Sequence, residues 1–191
     1  MSVQLKSGIS AQAGRLFVSL LPRRFWHHCR GTTTLEFGLL AAPFVALALA
    51  IIQTAIVFFA GQALETAAAT AGRLIMTGQA QTQGWSASQF KQQVCAAITG
   101  LFNCQSGIYV DVETYSSFSS ANLSMPVSNG QFNASSMGYN PGGPGDIVVV
   151  RLYYQYPVYM NLLGFNLANL NNGSDLLAAT AVFKNEPYAA L

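Results

Sequence analysis

From Phe37 to Ala60 the chain is one apolar run in which only Gln53 and Thr54 carry clearly polar side chains. About 20 helical residues cross the hydrocarbon core of a bilayer, so this run predicts a membrane-spanning helix. It is too long for the apolar region of an ordinary cleavable secretory signal. Beyond it, Leu64, Ala67, Ala68, Ala71, Leu74 and Ile75 keep a helical repeat, which extends the helix outward until Gly78, a residue suited to ending helices. A second helix is expected from Ser86, where Ser86 and Gln89 form a capping-box pattern and Phe90, Val94, Ile98 and Leu101 share one face.

The period then changes from helix to strand. Ile108, Val110 and Val112 alternate with Tyr109, Asp111 and Glu113, predicting a strand with one buried face. Residues 116–145 are rich in Ser, Asn, Gly and Pro and are expected to form a long exposed loop. Ile147 to Tyr156 is β-branched and aromatic, with Arg151 and Gln155 on one face, and predicts a strand at or near the centre of a sheet. After a turn at Asn171-Asn172-Gly173-Ser174, Leu177, Ala179, Ala181 and Phe183 alternate along a third strand. The expected fold class is α+β: a transmembrane helix extending into a small domain with a second helix and a three-stranded antiparallel sheet. The expected organisation is a basic leader over 1–31, a span over 32–61 and an extracytoplasmic domain over 62–191.

Charge orients this arrangement. Only 8% of the 191 residues are charged, against roughly a quarter in soluble domains. Before Gly31 lie Lys6, Arg15, Arg23, Arg24 and Arg30 with no acidic residue, whereas acids outnumber bases after Gly61. Few bases placed directly before an apolar run fit the positive-inside rule, with the N-terminus cytoplasmic, and nucleic acid is not an expected partner.

At the mouth of the run stands Arg30-Gly31-Thr32-Thr33-Thr34-Leu35-Glu36-Phe37. A glycine followed five residues later by a glutamate resembles the prepilin-peptidase site of type IV pilin-like proteins. With Phe37, Pro43 and the Ala-rich helix from Glu65 to Arg73, the resemblance narrows to the TadE-like pseudopilins of tight-adherence (Tad/Flp) pilus systems and covers Gly31 to Arg73. Val182-Phe183-Lys184-Asn185-Glu186-Pro187 is similar to an ending found in that family. The resemblance implies cleavage between Gly31 and Thr32 by a prepilin peptidase, retention of the helix in the bacterial inner membrane, and a role in assembling or priming an adhesive pilus. Its implied partners are that peptidase, other Tad pilins and pseudopilins, assembly-platform proteins and the lipid bilayer. An unprocessed single-span assembly or secretion factor is the alternative, and an adhesin using Tyr153 to Tyr159 and the Ser/Asn loop is a third.

Two further features follow from an envelope location. Gly38, Ala42, Ala46, Ala50 and Thr54 recur every four residues, a small-residue stripe on which another helix can approach closely in lipid. Cys95 and Cys104 lie beyond the span, where thiols oxidise, and their spacing suits a short disulfide loop. Cys29, beside His27 and His28, falls on the other side of the membrane and lacks further ligands for a metal. Catalysis is not expected, because both histidines lie in the leader and Asp111 and Glu113 suit an exposed polar face better than a reacting pair. No cofactor or metal is expected, and the Asn122, Asn133 and Asn172 sequons are read as chance.

Overall fold

The computed structural model describes residues 32–98, 102–159 and 166–188. The basic leader with Cys29, His27 and His28, the glycine at position 31, and Leu101 of the predicted apolar face lie outside the described residues. By packing, the chain divides into one unit ending at Val45 and a second beginning at Ala46.

The helix α1 spans Thr32–Met76, 45 residues, with Pro43 in its interior. It is long and apolar enough to cross a membrane. Its large apolar side chains are exposed from Leu35 to Phe59 and its buried face begins at Val57. Gly78, at φ 75°, follows the end of α1, and its amide donates to the Ile75 carbonyl at 2.9 Å. A one-turn helix α2 (Gln79–Thr82) leads to α3 (Ala87–Ala97). The α3 start has both reciprocal hydrogen bonds of a Ser86–Gln89 capping box, which satisfy amides the helix cannot use. Phe90, Val94 and Ile98 are buried. A last short helix, α4 (Cys104–Gly107), runs straight into the sheet.

The sheet has three antiparallel strands, β1 (Ile108–Tyr115), β4 (Ile147–Pro157) and β5 (Ser174–Lys184), in the order β1-β4-β5. Val112 pairs with Val150, and Val150 with Ala181. The architecture is therefore α+β. One face of the sheet buries Ile108, Val112, Val148, Val150 and Leu152 in a core shared with Leu64, Ala68, Ala71, Ile75, Phe90 and Val94 of the helices. Small residues on α1 let the sheet come close. A side-chain carbon at Gly72 would lie 2.9 Å from Phe183 Cε1 and 3.2 Å from Ala181 Cβ, so only glycine leaves room for the Phe183 ring.

The stretch 116–145, which has a loop-like composition, contains ordered pieces. A 3-10 turn covers Phe118–Ser120, and β2 (Val127–Ser128) pairs with β3 (Gln131–Phe132) around Asn129 and Gly130, both at positive φ. Phe132 packs on Tyr109 and near Tyr153, and Leu170 and Leu176 complete a small second core on the sheet face away from α1. Tyr139 forms a parallel bridge with Val112 and its ring meets Phe90. Burial pushes the Tyr139 hydroxyl up to about 12. Both faces of β4 are thus covered, which accounts for its run of buried residues from Val148 to Tyr154.

Candidate functional site

Three groups of residues have a candidate role, and each rests on a different element. The first is the start of α1. Thr32 opens the helix as described, and Glu36 lies one turn later, exposed among Leu35 (76% exposed), Phe37 and Leu39. A carboxylate in such surroundings needs water or a cation, because an ionised group in hydrocarbon is costly. Gly38 and Ala42 of the small-residue stripe are exposed in the first packing unit. Ala46, Ala50 and Thr54 are half-buried in the second. The Thr54 hydroxyl donates to the Ala50 carbonyl at 2.9 Å, so this polar group is satisfied within the helix.

Against models of known protein families, residues 31–73 match the one described as TadE-like protein. Over these residues the chain is similar to the TadE-like family. The match covers Gly31, Thr32, Glu36, the stripe and the outer half of α1, and stops before the sheet. It points to involvement with Tad pilus systems and to association with their other components, and that family is not known for catalysis. Neither the curated proteins nor the solved structures contain a match to this chain.

The second group joins the end of α1 to the sheet through the C-terminal residues. The Glu186 amide donates to the Met76 carbonyl at 2.9 Å, capping the last turn of α1. Asn185, buried, exchanges backbone hydrogen bonds with Gly145 and Asp146, and its Nδ2 donates to the carbonyls of Pro141 (2.9 Å) and Gly143 (3.0 Å). Gln81 Nε2 donates to the same Pro141 carbonyl at 2.9 Å. The segment Lys184-Asn185-Glu186 therefore ties together the end of α1, the Pro/Gly loop and the edge of the sheet. Periodicity does not reveal this role, because it resides in backbone groups and one amide. The family match ends at residue 73, before this segment.

The third group lies on β1 and β4. Asp111 (4% exposed) and Glu113, two residues apart on β1, both reach Arg151 (6% exposed), at 2.6 and 2.7 Å from its Nη2. Arg151 Nη1 also donates to the Asn122 carbonyl at 2.7 Å, and the Tyr115 hydroxyl donates to Glu113. Asp111 Oδ1 accepts from the Gly138 amide at 2.9 Å. An exposed polar face was the expectation for the two carboxylates. The Asn122 and Gly138 segments instead fold over this face, leaving Asp111 buried and Glu113 half-buried, and Arg151 pairs with both. Burial alone would lower the Arg151 pKa, but Asp111, Tyr153 and Glu113 more than offset it and hold the guanidinium firmly charged. Asp111 holds the loop to the sheet and Glu113 holds β1 to β4, which suits a structural clamp. Among the described residues no cluster of three or more His, Cys, Asp or Glu side chains is placed to hold a metal.

Cys95 and Cys104 form a disulfide with Cα atoms 5.6 Å apart, joining the last turn of α3 to the start of α4. Linking two positions separated by 9 in sequence restricts the unfolded chain, and this contributes about 2 to 3 kcal/mol. Replacing both cysteines by alanine is expected to lower the thermal midpoint of the purified chain by roughly 5 to 10 °C while leaving the helix content unchanged by circular dichroism. Equal midpoints for the two proteins would assign the bond no stabilising role.

Proposed function

We propose that this chain is a minor pseudopilin of a Tad/Flp pilus system. A prepilin peptidase cuts between Gly31 and Thr32 on the cytoplasmic face, the basic leader is lost, and α1 holds the protein in the bacterial inner membrane. The external domain then lies on the periplasmic side, where it takes part in assembling or priming the pilus with other pilin-like and platform proteins. The observation carrying this reading is the TadE-like match, which begins at the glycine directly before Thr32 and runs through the helix. The basic leader before the span supports the orientation. The stripe from Gly38 to Thr54 is the face on which a neighbouring helix would pack.

N-terminal sequencing of protein from a peptidase-competent native host tests the reading. The expected first residue is Thr32, and deletion of the peptidase should restore the leader. An intact leader in the competent host would favour the permanently anchored assembly factor. An adhesin drawing on the tyrosine strand has less support, because Tyr153 is 2% exposed and Tyr154 and Tyr156 pack into the main core.

A further inference from the structure

The direction of β5 against α1 gives the external domain a defined lower end. Ala181 and Phe183 lie against Gly72, and Glu186 meets Met76, so β5 and α1 run in the same direction. From Phe183 back to Ser174 the strand covers about 30 Å. That distance equals about 20 helical residues for parallel axes and fewer for tilted ones, which brings Ser174 down to the level of roughly residues 52–60 of α1. Phe58 and Phe59 occupy this level and are 71% and 62% exposed, at the outer limit of the apolar surface that requires lipid. Pro157 pairs with Ser174 at the same end of the sheet, and Tyr159, two residues on, is 81% exposed.

The chemistry of this end differs from that of the other. Two turns meet here: the Asn171 amide donates to the Gly130 carbonyl at 2.9 Å, and Asn171 Nδ2 donates to the Asn129 carbonyl at 2.7 Å. Asn172 Nδ2 donates to Gln155 Oε1 at 2.8 Å. Residues 116–145 and 156–173 contain no charged side chain at all. Arg73, Asp146, Lys184 and Glu186 instead gather at the opposite end, near Met76. Asp175, opposite Tyr156 and beside Ser174, is the charged residue of this end, and burial holds its carboxyl above the usual range; around it a surface of amides with a projecting tyrosine, level with the end of a lipid-facing helix, matches the composition of the membrane interface, where tyrosine is enriched.

We propose that the Pro157–Tyr159 and Asn171–Gly173 end of the sheet is a second membrane contact, resting on the headgroup region of the bilayer that α1 spans, with Tyr159 inserted among the lipids. The contact rests on the reading of α1 as a transmembrane anchor and is continuous with it. It restricts the tilt of the domain about the span and so presents the charged far end outward. The full chain carrying Cys29→Ser tests it, with an environment-sensitive fluorophore placed through Phe58→Cys, Tyr159→Cys or Lys184→Cys; the oxidised Cys95 and Cys104 do not react with it. Each protein is reconstituted in phosphatidylcholine/phosphatidylglycerol vesicles containing a nitroxide at shallow depth. Quenching at positions 58 and 159, each several-fold above that at 184, is the expected result. Quenching at 58 with position 159 no different from 184 overturns the contact and leaves the anchor standing. No quenching at 58 overturns the anchor, and the contact with it.

Discussion

Replacing Arg151 by leucine is expected to destabilise the α+β domain by about 3 to 5 kcal/mol, the usual cost of removing one partner from a buried ion pair. The loss comes from what remains. Asp111 is 4% exposed and cannot recover its hydration, the Asn122 carbonyl loses the donor at 2.7 Å that holds its segment to the sheet, and Glu113 loses its partner on the neighbouring strand. The measurement is chemical denaturation of the full chain in detergent, with the fluorescence of Trp85, which packs against the main core, as the probe. A triple variant, Arg151→Leu with Asp111→Leu and Glu113→Val, removes the charges together and should recover much of the loss, since apolar replacements of whole buried ion pairs are often neutral. If Arg151→Leu alone costs less than about 1 kcal/mol, the cluster behaves as a solvated surface pair.

The second large effect is expected in assembly. Glu36→Ala should abolish or severely reduce piliation while membrane level, leader processing and the external fold stay normal. Glu36 is exposed on α1 one turn after Thr32, so its removal disturbs no packing within the chain. Under the proposed cleavage, Thr32 acquires an α-amino group with a reference pKa near 8, a cationic partner for Glu36 of its own or a neighbouring chain. Pairing between chains would set the register of one helix against the next, and Glu36→Asp, keeping the charge on a shorter arm, should retain part of the activity. The readout is a comparison of processing, membrane level and pili by immunoblot and electron microscopy. A stable Glu36→Ala protein that supports normal piliation would reduce Glu36 to an interfacial residue.

Much of this organisation is legible in the sequence because it depends on local spacing. The uninterrupted apolar run, the Ser86–Gln89 cap and the period-two alternation of β1 and β5 each report a rule that operates within one turn or one strand, and the corresponding elements form with closely similar bounds. Gly31 and Glu36 stand out by resemblance instead, a glycine and a glutamate five residues apart before an apolar run, and their role belongs to the proposed function.

Only tertiary structure decided what the polar residues do. Asp111 and Glu113 look identical in sequence whether they face water or an arginine 38 to 40 residues away, and the outcome depended on the register that sets Asp111 opposite Arg151. The Ser/Asn-rich segment carries no periodicity, yet it closes the second face of β4 through Phe132 and the Asn122 carbonyl and sends Tyr139 to Phe90 in the main core. Asn185 becomes the fastening of helix, loop and sheet only when residues more than 40 positions apart meet. Hydrophobic periodicity determines which face of an element is buried, because burial follows area. Partners for buried charges and amides are set by directional bonds at about 3 Å, and these exist only once the strands are in register.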